Sequence, residues 1–132
     1  MRLDEAFAEL NKAIALDSAS ADAYNNMGLF RSEVGNYQLS IQLLKKSIVL
    51  NPKDDNARYN LGNTYYRNKD YKKATLAFRQ TVRLDAAYGK AFYGLGLAQW
   101  NDGEKDLGCT NLKQALNVGY SDAANALAQF CQ

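Results

Sequence analysis

Apolar residues along this chain recur at helical spacing and then break off. Ile41, Leu44 and Ile48 lie three or four residues apart, as do Ala74, Phe78 and Val82, and polar or glycine-bearing stretches separate such segments. The pattern predicts short amphipathic helices near 3–16, 22–34, 37–50, 55–68, 71–84, 89–101, 105–118 and 121–130. Their ends carry matching signals. Gly35, Gly103 and Gly119 can take the left-handed conformation that closes a helix, and Asn36, Asp70 and Ser121 stand where an N-cap would satisfy free amides. Asn51-Pro52 closes another helix, because proline disfavours helical geometry in the residue before it. No apolar run is long enough to span a bilayer and no basic segment leads into an apolar one at the start, so a cytoplasmic chain without membrane insertion is expected.

The helical segments repeat. Gly28, Gly62 and Gly96 are spaced by 34 residues, as are Ala23, Ala57 and Ala91. The same shift aligns Leu10, Leu44, Phe78 and Leu112, and it aligns Leu16, Leu50, Leu84 and Val118. One column is always small (Ala13, Ser47, Thr81, Ala115) and its neighbour always aliphatic (Ile14, Ile48, Val82, Leu116). Size as well as polarity is specified, and each unit is a pair of helices. One short pair cannot bury its apolar faces alone, so stacked pairs must share a continuous core. Small residues at Gly28 and Ser40, Gly62 and Ala74, and Gly96 and Gly108 let the two helices of a hairpin approach closely, and large substitutions there should be destructive.

Composition narrows the chemistry. With 16 basic and 14 acidic residues the net charge is +2, which supplies no strong field for nucleic acid or an anionic membrane. Histidine is absent, removing the usual general base and the commonest metal ligand, and the carboxylates show no convergent pair. No enzyme activity, metal or cofactor is expected. Cys109 and Cys131, without a CxxC arrangement, read as small buried hydrophobes rather than as a disulfide.

The stretch Ala57-Arg58-Tyr59-Asn60-Leu61-Gly62-Asn63-Thr64-Tyr65-Tyr66, with Asp70-Tyr71-Lys72-Lys73-Ala74 and Phe78, resembles the tetratricopeptide repeat pattern almost position for position. Tyr24-Asn25-Asn26-Met27-Gly28 with Gly35-Asn36-Tyr37 and Asn51-Pro52 matches nearly as well. The third unit departs: Lys105 stands where the others have Tyr37 and Tyr71, and no proline closes it. The resemblance implies an all-α, right-handed α-solenoid forming a single domain over 1–132. Residues 1–17 resemble the second helix of a partial repeat, 21–54, 55–88 and 89–120 full repeats, and 121–132 a capping helix at a natural C-terminus. The unpartnered opening helix points either to an excerpt of a longer protein or to self-association that covers its apolar side.

In that family the first helix of each hairpin lines the concave face, and the resemblance implies a protein-interaction scaffold that binds a peptide segment there. By register the face carries Asn25, Asn26 and Leu29, then Tyr59, Asn60, Asn63, Tyr66 and Arg67, then Lys90, Tyr93, Leu97 and Trp100. Asn26 and Asn60 share a register and could clamp extended main chain, since a carboxamide both donates and accepts. Tyr59 and Tyr93 are read as binding anchors and Tyr65 as core. Gly94 would leave a notch for a ligand side chain. Some family members grip a terminal carboxylate with two lysines, two asparagines and an arginine. Asn60 and Lys90 match that set, but Asn25, Leu29 and Gly94 do not, so the charge-assisted contacts such a carboxylate needs are incomplete. The lysines at 45–46 and 72–73 and Arg79 and Arg83 fall on second helices and are read as solvated. The related pentatricopeptide hairpins read single-stranded RNA, but the 34-residue spacing and the near-neutral charge favour a protein partner over nucleic acid.

Overall fold

A computed structural model describes residues 20–132. Within them the chain forms seven helices: α1 (Ala21–Glu33), α2 (Tyr37–Leu50), α3 (Asp55–Arg67), α4 (Tyr71–Leu84), α5 (Gly89–Asn101), α6 (Lys105–Asn117) and α7 (Ala123–Phe130). Each expected helix in this range is present, with most ends within one residue of expectation. The expected helix at 3–16, and with it any self-association surface it would offer, lies outside the described residues.

The ends form for the reasons the residue types suggest. Asn36 accepts the amide of Leu39 and Asp70 that of Lys73, each at 3.4 Å. Gly35, Gly103 and Gly119 have φ of 85°, 90° and 101°, and Lys69, the residue in register with Gly35 and Gly103, takes the same hand at 62°. Ser121 is not a cap: α7 begins two residues later, at Ala123, and Asp122 precedes it with no side-chain cap bond. The turn over Tyr120 and Ser121 uses backbone bonds instead, with the amide of Ala123 donating to the carbonyl of Tyr120 at 3.1 Å.

Consecutive helices pack side by side from α1 to α7, and in addition α1 touches α3 and α3 touches α5. The first helices of the hairpins thus approach one another more closely than the second helices do, and the solenoid curves with the first helices on its inner side. Leu44, Leu61, Tyr65, Phe78 and Leu95 build the shared core among alanines 74, 77, 91 and 98. Tyr65 is a core residue, as read.

The small columns mark where helices meet. A Cβ on Gly96 would lie 2.7 Å from the carbonyl oxygen of Gly108, whereas Gly28 and Gly62 abut the side chains of Leu44 and Phe78. In the first hairpin the small residues also bond across: the buried hydroxyls of Ser40 and Ser47 donate to the carbonyls of Gly28 and Ala21, each at 2.7 Å. Hydroxyl is retained there because it serves the neighbouring backbone.

The cysteines correct the sequence expectation. Cys109 and Cys131 form a disulfide between α6 and the residue just beyond α7. The turn after α6 folds α7 back along it, so a residue 22 positions away returns to the first half of α6. Both cysteines are partly exposed rather than buried.

Candidate functional site

A groove of about 310 Å³ opens on the inner side of the curve. α3 supplies Tyr59, Asn63, Tyr66 and Arg67, α5 supplies Lys90, Tyr93, Gly94 and Leu97, and Tyr120 reaches in from the turn after α6. One helical turn separates Tyr59 from Asn63 and Tyr93 from Leu97, so each row is presented along one face. Among the described residues two cations and no carboxylate line the groove.

The tyrosines hold one another in place. Tyr59 stacks on Tyr88 with ring centroids 5.2 Å apart and also meets Phe78 at 5.8 Å. Tyr93 leans on Tyr120 at 5.2 Å. Tyr120 can approach because Gly89 has no side chain: a Cβ there would lie 2.7 Å from the Cβ of Tyr120. Tyr66 packs edge-on against Tyr71, and its hydroxyl accepts from Asn101 at 3.0 Å. Burial pushes the hydroxyl pKa of Tyr59 up, opposed by the Arg67 charge and by Asn63. Burial likewise raises Tyr66. Tyr88, whose hydroxyl donates to Asn56 at 2.7 Å, is pushed up to about 12, by burial first and then by Tyr59 and the carboxylates of Asp55, Asp54 and Asp85. These rings stay neutral at ordinary pH, offering apolar faces with polar rims.

Not all register positions reach the groove. Asn25, Asn26 and Leu29 stand on α1, beyond its lining. The side-chain amide of Asn60 donates through Nδ2 to the side-chain Oδ1 of Asn25 at 2.8 Å, so the asparagine ladder pairs Asn60 with Asn25, one repeat to the next. Arg67 in the same way reaches Ser32 at 3.4 Å. Trp100 faces the C-terminal end, where its ring meets Phe130 of α7 with centroids 4.7 Å apart and carries Lys105 4.9 Å above it.

Gly94 lines the groove, but the space a side chain would take there is already filled. A Cβ would lie 2.6 to 2.9 Å from the ring of Phe78, which is fully buried beneath. The missing side chain makes room for a core ring, and that accounts for the helix-weakening glycine. Tyr120, which lines the groove, and Tyr88, which stacks on Tyr59, are positions that periodicity did not single out. Tyr88 carried a signal nonetheless: it occupies the position before α5 that Asp54, a side-chain cap, occupies before α3.

Among the described residues no three of His, Cys, Asp and Glu gather where they could hold a metal, and no helix is long and apolar enough to cross a membrane.

Residues 2–32 and 33–69 match the family described as TPR repeat, and residues 56–88 match Tetratricopeptide repeat. The BBSome complex member BBS4 homolog of Drosophila melanogaster is 31% identical over 104 residues, which is 77% of this chain and 21% of that protein. Tetratricopeptide repeat protein 6 of Homo sapiens is 28% identical over 80 residues, 61% of this chain and 15% of that protein. The chain therefore spans about a fifth or less of the length of these curated relatives. Among solved structures, MamA is 29% identical with a TM-score of 0.78, covering 92% of this chain and 71% of that one. The second TPR domain of human RPAP3, in complex with the HSP70 peptide SGPTIEEVD, superposes with a TM-score of 0.80 at 21% identity, over 85% of this chain and 95% of that one, a likeness of fold. With the phased repeats, the stacked hairpins and these matches together, the chain belongs to the tetratricopeptide repeat family.

Proposed function

We propose that this chain is a non-catalytic protein-interaction module whose inner groove holds an extended segment of a partner protein. The observation that carries the reading is the groove itself, where tyrosine faces and Leu97 form an apolar trough between the cations Arg67 and Lys90. A segment that sets an apolar side chain among the rings and a carboxylate near either cation fits this lining. A neighbour of the same fold, the RPAP3 domain, is bound to a chaperone peptide, which is consistent with the use of such a groove. The full set of carboxylate-gripping residues is absent here, so a side-chain carboxylate within the segment suits the site better than a chain terminus.

Selection of a random-peptide library on the folded protein tests this. Acidic-apolar sequences should be enriched, and binding should fall at least about tenfold in Tyr93→Ala and severalfold in Lys90→Gln, while Arg83→Ala on the outer side leaves it unchanged. Peptides retained equally by all three variants would move the interaction off the groove.

A further inference from the structure

Trp100 occupies the position one repeat on from Tyr66, and Lys105 the position one repeat on from Tyr71. The two pairs correspond in space: Tyr66 packs on Tyr71, and Trp100 lies beneath Lys105. They differ in what covers them. Tyr66 borders the groove, whereas the Trp100 ring is overlaid by Phe130.

Phe130 is the last residue of α7, and the next residue, Cys131, is bonded to Cys109 on α6. Among the described residues, the indole Nε1 of Trp100 is buried without an acceptor. A buried donor left unpaired raises the energy of the covered arrangement, because in water the same N–H would be hydrogen-bonded. α7 has only 8 residues and packs on α6 and, through Phe130, on Trp100 of α5. Isolated helices of two turns are unstable. The disulfide thus fastens a short helix at the residue next to the ring it places over Trp100.

We infer that the Cys109–Cys131 disulfide is a redox latch: closed, it holds Phe130 over Trp100; opened, it frees α7 and uncovers Trp100 as an aromatic platform. Opening is thiol–disulfide exchange. One thiolate of a dithiol attacks a sulfur of the bridge and releases the other cysteine as thiolate. The second thiol of the reductant then closes its own ring, leaving two protein thiols and one cyclic disulfide. Both cysteines are partly exposed, which gives the attacking thiolate access. Bridges persist in oxidising compartments and are reduced in the cytosol, so the compartment sets which state is populated.

Trp100 is the sole tryptophan, so its fluorescence reports the latch without any ligand, and the test stands apart from the groove reading. Acrylamide quenching is measured on the air-oxidised protein, on the same protein in excess dithiothreitol, on Cys109→Ser/Cys131→Ser, and on oxidised Phe130→Ala as the uncovered reference. The oxidised chain should show no free thiols and a shielded tryptophan. Reduction and the serine pair should each raise quenching severalfold, toward the Phe130→Ala level, and hydrogen exchange should accelerate about tenfold or more over residues 123–130 but not over α3 and α4. Free thiols in the oxidised chain, a tryptophan still shielded after reduction, or a Phe130→Ala variant no more quenched than the parent would each overturn the inference.

Discussion

The Cβ that Gly96 lacks would lie 2.7 Å from the carbonyl oxygen of Gly108, and the one that Gly108 lacks would lie 2.6 Å from the carbonyl oxygen of Gly96. The two helices of the third hairpin meet backbone to backbone. Flexible side chains could yield to a methyl group, but a hydrogen-bonded backbone cannot move without shifting its whole helix. Gly96→Ala should therefore cost about 1–3 kcal/mol despite the gain in helix propensity. Urea denaturation of the variant beside the parent checks this, and a stabilised Gly96→Ala would show that the hairpin can open at no cost.

Lys69 holds φ of 62° where Gly35 and Gly103 hold 85° and 90°. A residue with a Cβ pays a steric penalty in this region, offset in part by glycine's greater freedom in the unfolded chain. Lys69→Gly should raise stability by about 0.5–1 kcal/mol, read as a higher denaturation midpoint with unchanged slope.

The tyrosines make the fold sensitive to alkali. An unfolded tyrosine titrates near 10, whereas Tyr88 in the folded chain is pushed up to about 12 and Tyr59 and Tyr66 are also raised. A raised folded value means that the native state favours the protonated phenol. Its contribution is intact below pH 10 and is lost as pH climbs through 10 towards 12. Denaturation midpoints between pH 9 and 12 should fall, and less steeply in Tyr88→Phe. That variant should also lose about 0.5–1.5 kcal/mol at neutral pH with its bond to Asn56.

Asn60 tests whether the asparagine ladder serves a ligand or the scaffold. Its amide is bonded to Asn25, so Asn60→Ala should lower stability by about 0.5–1.5 kcal/mol even without ligand. Unchanged stability together with weakened peptide capture would return Asn60 to the role of a main-chain clamp.

The bridge between Cys109 and Cys131 closes a loop with a sequence separation of 22. Removing it should destabilise the C-terminal hairpin by about 3 kcal/mol in the chain-entropy picture. Thermal unfolding with and without reductant measures the difference, and matching curves would mean that α7 docks without help.

The repeat, the helix ends and the rows of the groove were legible because they follow from periodicity: a residue at a given register of a helix faces the same way in every unit. Tyr59, Tyr66, Tyr93 and Leu97 could be placed by counting. What counting missed depends on how chain returns upon itself. Tyr120 enters the groove from a turn, Phe130 covers Trp100 from a helix that begins two residues later than expected, and Cys131 reaches Cys109 only because that helix folds back. Gly94 misled for a related reason. Its empty side faces Phe78, a residue of the preceding unit, and no pattern within one helix shows what the neighbouring helix fills.

Three side-chain hydrogen bonds join first helices of successive repeats, two between α1 and α3 (Asn60 to Asn25 and Arg67 to Ser32) and one between α3 and α5 (Asn101 to Tyr66). All three lie on the inner side of the curve, where straightening the coil would stretch them and tightening it would not. The curvature is accordingly stitched as well as packed, and flattening the coil would break side-chain bonds between repeats before it disturbed the core.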